Sequence, residues 1–292
     1  MATVSDLLLR LLREVPGCEA EDFFENVNAA IEEIRSEFGW KFYEKKYSFT
    51  LETALTGTDG SVTNGSTTVT MAAGVITASQ IGWKIRFDGH SGTYTISNAS
   101  DGGGTTTVTL DRAYSGDTDA EIAYTTYKDT YSVPSDFERL IKLKNATQNE
   151  DMEFIPLYAF LEDYPGANGT STLIATQFTL WGVDNTGYRQ ILIGIAPSTA
   201  DTMDLYYRRK HTAPTAPTST VDVSGMLGEA LYQQLLLRYL LRQPVSPANE
   251  VDVMLMARIK RAETTYNKAI ARARKLEVLE TPHIYRNRRI LI

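Results

Sequence analysis

Between residues 53 and 123 the chain turns rich in Thr, Ser and Gly and is cut into short pieces by tight-turn residues. Asn64-Gly65, Asp88-Gly89, Ser91-Gly92, Asp101-Gly102-Gly103-Gly104 and Ser115-Gly116 supply the positive backbone angles that sharp reversals demand. The pieces between them, at 66–71, 84–87, 93–98, 105–110 and 120–124, predict short strands. Five or six strands in about 70 residues suggest a small barrel or sandwich. Just before this stretch, Tyr47, Phe49 and Leu51 alternate with polar neighbours, and just after it Tyr127, Asp129, Tyr131 and Val133 repeat the period of two. Pairing of these two flanks would leave residues 53–124 as a module inserted in a parent domain of residues 1–52 and 125–281.

The parent reads differently. Val4, Leu7, Leu8, Leu11, Leu12 and Val15 form one helical stripe, with Thr3 able to cap and Pro16-Gly17 to stop it. Phe23, Phe24, Val27, Ile31, Ile34 and Phe38 predict a second helix, ended by Gly39. After the inserted stretch, Pro134 to Leu140 reads as a turn or short helix, followed by strand patterns at 154–157, 173–181, 189–195 and 203–209. Gly182, Asp184, Asn185 and Gly187 mark a hairpin among them. The Thr-, Ala- and Pro-rich segment 212–220 reads as an extended linker. Two helices follow: a leucine-dense one at about 224–242 and a longer one beginning after Ser246, whose stripe runs from Val251 to Leu276. Pro282 ends it, leaving a terminal arm at 282–292. The fold class expected is α+β: a helical bundle of N-terminal helices and long C-terminal helices, with a β-meander and an inserted small β-barrel or sandwich module.

Composition excludes several function classes. No apolar run approaches the roughly 20 residues that cross a bilayer, and Met1 to Leu12 lacks the pattern of a signal peptide. Cys18 is the sole cysteine, so neither an intrachain disulfide nor a cysteine zinc site can form, and synthesis in a cytoplasm is expected. Net charge is -7, too acidic for a chain that coats nucleic acid. The charge is uneven: residues 1–220 hold 17 basic and 29 acidic side chains, residues 221–292 hold 12 and 7.

Catalytic patterns are weak. His90, His211 and His283 have no partners at metal-ligand spacing, and Gly102 to Gly104 lacks the Lys and helix of a phosphate loop. Ser91 does not sit in a Gly-x-Ser-x-Gly elbow. The pairs Glu32 with Glu33, and Asp117, Asp119 with Glu121, read as solvated faces rather than acid-base machinery. No catalytic residue, cofactor site or metal site is therefore expected. The last helix carries Arg258, Lys260, Arg261, Lys268, Arg272, Arg274 and Lys275, a basic face better suited to an acidic protein partner than to base-specific DNA reading. The terminal arm mixes Ile284, Tyr285, Ile290, Leu291 and Ile292 with basic residues and calls for a covering surface.

An N-terminal helical pair, a strand leading into Tyr131-Ser132-Val133-Pro134-Ser135-Asp136-Phe137, a meander, a long C-terminal helix and an extended tail together resemble the head-to-tail adaptor, or connector, proteins of tailed bacteriophages over residues 1–50 and 125–292. The insertion, from Gly65-Ser66-Thr67-Thr68-Val69-Thr70 through Thr107-Val108-Thr109-Leu110, is similar to small β modules of phage virion proteins. The resemblance implies a non-enzymatic virion protein at the neck, synthesised in the host cytoplasm. It implies a ring, typically of twelve copies, that docks on the portal, extends the DNA channel without sequence-specific contacts and offers a platform to tail, nozzle or fibre proteins. It further implies portal binding by the arm residues His283, Ile284, Tyr285, Arg286, Asn287, Arg288, Arg289, Ile290, Leu291 and Ile292. The inserted module would face outward. Two alternatives stay open: a tail-completion or fibre-attachment protein, and a virion-associated glycan hydrolase.

Overall fold

Thr3 opens the helical part of the structure with a reciprocal cap: its hydroxyl accepts from the Asp6 amide, and the Asp6 carboxylate accepts from the Thr3 amide. The computed structural model describes residues 3–15, 22–163, 176–194, 200–242 and 250–279. They hold five helices, α1 (Val4–Glu14), α2 (Phe23–Glu37), α3 (Leu157–Asp163), α4 (Gly228–Leu241) and α5 (Glu250–Leu279), against fourteen strands. Contacts divide the chain into two compact units, Met1–Glu44 with Lys210–Ile292, and Lys45–Arg209.

The first unit is helical. Its core joins Leu7 and Leu11 of α1, Val27, Ile31 and Ile34 of α2, Leu231, Leu235 and Leu240 of α4, and Ile259, Tyr266 and Ile270 of α5. In α4 the buried residues lie on most sides, since Leu231, Tyr232, Gln234, Leu235, Leu236, Leu237 and Tyr239 are all buried; the helix is the hub on which the others pack. Trp40 closes the end of α2, its indole donating to the Ile34 carbonyl at 2.7 Å. Segment 212–220, expected as a bare linker, has a structural task. The Val4 and Ser5 amides donate to the Ser219 and Pro217 carbonyls at 3.1 and 3.0 Å, and Thr3 bridges Thr220. First-turn amides have no acceptor within their own helix, so the Pro-rich segment satisfies them.

The second unit is built from strands. Six of them, β2 (Leu55–Val62), β3 (Thr68–Ala72), β4 (Lys84–Phe87), β5 (Thr93–Asp101), β6 (Thr105–Leu110) and β7 (Asp119–Tyr127), close into a barrel in the order β2-β3-β6-β5-β4-β7. Alternation fills its interior, with Val69, Met71, Ile85, Phe87, Tyr94, Ile96, Val108, Leu110 and Tyr124 inside while Thr and Lys neighbours face out. Gly57 is required where Tyr124 crosses its paired strand: a Cβ there would lie 2.7 Å from Cε1 of the ring. Burial, helped by the neighbouring Asp59, pushes the Tyr124 phenol up to about 12.

Two four-stranded sheets and α3 make up the rest of this unit. One runs β1 (Glu44–Thr50), β14 (Thr202–Arg209), β9 (Phe137–Asn145), β10 (Glu150–Asp151). The other runs β11 (Glu153–Phe154), β12 (Gln177–Val183), β13 (Arg189–Ile193), β8 (Thr130–Ser132). They share one core of Leu51, Tyr131, Phe137, Leu143, Phe178, Ile191, Ile193, Met203, Leu205 and Tyr207. The hairpin between β12 and β13 is fastened by Asp184, whose carboxylate accepts from the Thr186 and Tyr188 amides and from the Ser132 hydroxyl. The Ser132 bond, then those of Thr186 and Tyr188, hold that carboxyl well below the usual range.

Three expectations are corrected. The fold class is not a helical bundle: the architecture is mixed, with a closed six-stranded barrel and two further sheets, and strands carry most of it. Leucine-dense helices dominate a reading of the sequence because each is long and periodic, whereas these strands span two to nine residues and gain weight only once paired. Second, of residues 134–140, expected as a turn or short helix, the turn is confined to Ser135 and Asp136, closed by the Phe137 amide on the Pro134 carbonyl at 3.0 Å, and Phe137 already opens β9. Two bulges against β14 disguise it: Tyr206 pairs Lys142 but Tyr207 pairs Leu140, leaving Ile141 as the extra, exposed residue, and Glu138 is skipped in the same way. Third, the flanks of the barrel do not pair with each other. Strand β1 pairs β14 and β8 pairs β13, so they lie in different sheets. They meet across the core instead, with the Phe49 and Tyr131 rings 5.3 Å apart and the Tyr131 hydroxyl accepting from the Glu52 amide at 2.9 Å.

Candidate interaction surfaces

The helical unit distributes its charge by segment. Acidic residues of the N-terminal helices face basic residues of the C-terminal ones: Glu33 with Arg238 at 2.8 Å, Glu37 with Arg274 at 2.7 Å, Asp22 with Arg242 at 3.2 Å and Glu14 with Arg258 at 3.6 Å. One pair runs the other way, from Arg10 to Glu229 at 3.0 Å. Part of the basic face of α5 is thus neutralised within the unit. The carboxylate pair Glu32 and Glu33 belongs to the same system. Glu32 holds Arg35 at 2.8 Å and His211 at 2.6 Å, and Glu33 holds Arg238.

Of the remaining α5 cations, Arg261, Lys268 and Arg272 gather along one side of the helix, while Lys260 and Lys275 lie outside that row. Two adjoining open depressions, of about 550 and about 500 Å3, run between α5 and the walls formed by α1, α4 and the turn at Gly225. From α5 they take Arg258, Arg261, Thr265, Lys268, Arg272 and Leu276 at helical spacing, with Ala262, Ala269 and Ala273 on the floor. The opposite wall carries Arg10, Arg13, Glu14, Glu229 and Tyr232. Arg10 lies flat on the Tyr232 ring, 3.6 Å from its centroid, which fixes that guanidinium in the wall. Among the described residues Arg13, Arg261, Lys268 and Arg272 make no ion pair. The trough is therefore cationic with four uncommitted charges. Sequence reading found the α5 cations but not Arg10 and Arg13; their i, i+3 spacing on the polar side of α1 was the available signal.

The barrel presents the opposite surface. Asp119 and Glu121 are exposed at the start of β7, where the register against β2 shifts between Gly60 and Val62, and Asp117 precedes them in the connecting loop. All three are exposed and make no ion pair among the described residues. The loop that carries Asp117 is well anchored: Tyr114 is buried, its amide donates to Ser66, and Asn64 donates to the Gly116 carbonyl at 2.7 Å.

The other candidates fall as follows. His90 Nε2 lies 2.8 Å from the Tyr94 hydroxyl and 3.3 Å from Ser115 Oγ, among the described residues no carboxylate bonds the ring, and the Tyr94 hydroxyl accepts from the Ser115 amide. That cluster ties the β6–β7 loop to the turn at His90. Gly103 adopts φ +81° in the β5–β6 hairpin, where the Asp101 carboxylate accepts its amide at 3.0 Å. Among the described residues no cluster of three or more His, Cys, Asp or Glu could hold a metal ion. Cys18, His283 and the whole proposed portal-binding arm, residues 283–292, lie outside the described residues.

Apolar side chains also reach the surface. At the start of α5, Val253, Met254 and Met256 are 72%, 72% and 57% exposed, and Leu9 and Leu241 are exposed in the same unit. In the strand unit Phe154, Tyr158, Leu161, Trp181 and Val183 are exposed around α3 and the β12–β13 hairpin. No described helix is long and apolar enough to cross a membrane. Compared with known proteins, the sequence matches no protein-family model and no curated relative.

Proposed function

We propose that this protein is a structural virion component, a ring-forming connector between the portal of a phage head and its tail, with no reaction of its own. The carrying observation is the set of large apolar side chains held in water at the start of α5, Val253, Met254 and Met256. Covering each would release about 1.5–3 kcal/mol, a gain that a partner surface collects and an isolated subunit forgoes. The arrangement of uncommitted charge supports the same reading. A cationic trough and an acidic barrel on one chain are unlike faces, which is what a closed ring of identical subunits needs. The ordered barrel, bounded by strands rather than floppy linkers, suits a module presented to a tail or fibre protein.

Portal attachment is assigned to residues 283–292, where Ile284, Tyr285, Ile290, Leu291 and Ile292 would fill clefts and Arg286, Arg288 and Arg289 would meet carboxylates. Mixing the protein with its portal and imaging the mixture by electron microscopy tests this reading. Rings seated coaxially on portals are expected, and they should be lost when residues 283–292 are deleted while the circular dichroism spectrum is retained. Absence of any portal-bound ring with the full-length protein would overturn it.

A further inference from the structure

The charge ledger of the two units is lopsided. Lys45–Arg209 holds 12 basic and 19 acidic residues, whereas Met1–Glu44 with Lys210–Ile292 holds 17 of each. The helical unit is neutral in sum yet concentrates four uncommitted cations, Arg13, Arg261, Lys268 and Arg272, in one trough. The excess carboxylates of the strand unit include Asp117, Asp119 and Glu121, exposed and without ion pairs.

We propose that the trough along α5 docks the acidic edge of the barrel, Asp117, Asp119 and Glu121, of a second copy of this chain. The two rows are commensurate. Asp117 in the loop and Asp119 and Glu121 at the start of β7 are all exposed, and five residues of extended chain span about 13 Å. On α5, Arg261, Lys268 and Arg272 share one side of the helix and span about 16 Å. Small floor residues, Ala262, Ala269 and Ala273, let a strand edge approach the helix closely, and Arg13 stands on the opposite wall. The loop that carries Asp117 is ordered before docking, through Tyr114 and Asn64, so little entropy is lost on binding.

A protein partner fits this trough better than a nucleic acid strand. The Arg258–Glu14 and Arg10–Glu229 pairs, neutralised within the unit, interrupt its free cations, so discrete carboxylates match them better than an evenly spaced phosphate backbone does. The terminal arm is excluded as occupant by its own charge, since Arg286, Arg288 and Arg289 would be repelled. The contact joins unlike faces and so propagates from copy to copy. It rests on the connector reading in naming how copies meet, but it concerns the protein alone and not the portal.

Charge exchange tests it. One variant carries R261E, K268E and R272E, another D117K, D119K and E121K, and a third carries all six. Self-association is followed by sedimentation at low salt, with melting curves as the check on folding. Each triple variant should associate at least about tenfold more weakly than the unaltered chain, because three exposed pairs turn from attraction to repulsion. The sextuple variant should regain association, and the two triples mixed together should form hetero-oligomers. The proposal is overturned by self-association that ignores both triples, by a folded sextuple variant that stays dissociated, or by no association of the unaltered chain. It is equally overturned if the α5 triple abolishes binding of a duplex DNA oligonucleotide while leaving self-association intact. Portal docking that survives with the α5 triple would sink only this inference; loss of portal docking with normal self-association would sink only the connector reading.

Discussion

The helical unit and the barrel spend their polar residues in opposite ways. In the helical unit acidic and basic side chains more than 200 positions apart in sequence close on one another, as Glu33 does on Arg238 and Glu37 on Arg274. In the barrel, hydrogen bonding falls mainly to Thr, Ser and backbone, and among the described residues Asp117, Asp119 and Glu121 make no ion pair. Charge that is paired internally cannot recognise anything else, so the contrast separates the charges that hold a unit together from those left for an interface.

The comparison can be broken most forcefully through the two cores. Leu235→Ala in α4 and Phe87→Ala in the barrel each remove a side chain that is fully buried. Both should cost about 3–5 kcal/mol in urea unfolding. A loss near zero for Leu235 would mean that α4 is not the hub of the helical unit.

Next in size is the close approach inside the barrel. Gly57→Ala forces the Tyr124 ring aside and should cost about 1–3 kcal/mol, with a changed near-ultraviolet circular dichroism signal from the tyrosines. An unchanged signal and unfolding midpoint would show that β2 tolerates a side chain there.

The internal ion pairs sharpen the contrast at smaller scale. A double-mutant cycle on Glu33 and Arg238, using Gln and Met replacements, should return a coupling of about 0.2–1 kcal/mol that shrinks in high salt. The same cycle between Asp117 and any cation within one monomer should return none.

Acid response completes the series. The Asp184 carboxyl is lowered in the folded state, so the stability it adds is present above about pH 4 and disappears as pH falls toward its folded value. D184N should therefore lose less stability than the unaltered protein between pH 7 and pH 3, read as the shift in urea midpoint. Equal losses would mean that the hairpin bonds to Ser132, Thr186 and Tyr188 do not favour the ionised form.

Much of the secondary structure was legible because it depends on neighbours in the chain. The Thr3 and Asp6 cap, the stripe through Leu7 and Leu11, the leucine run of α4 and the turn at Gly103 all follow from spacing of a few residues. Strand β9 was not legible, since the bulges at Glu138 and Ile141 break the alternation and exist only against β14, some 65 residues away. The candidate surface divides the same way. That α5 is basic could be read directly, whereas which of its cations stay free could not.

What the chain determined alone was therefore local: caps, periods, turns and the sign of charge in each stretch. Only the tertiary structure decided that six short strands close a barrel, that β1 and β8 enter different sheets, and that Arg258 and Arg274 are consumed while Arg261, Lys268 and Arg272 remain. The physical reason is range. Backbone preference and capping act within about four residues, while pairing of strands and neutralisation of charge depend on which distant segments the burial of apolar surface brings together.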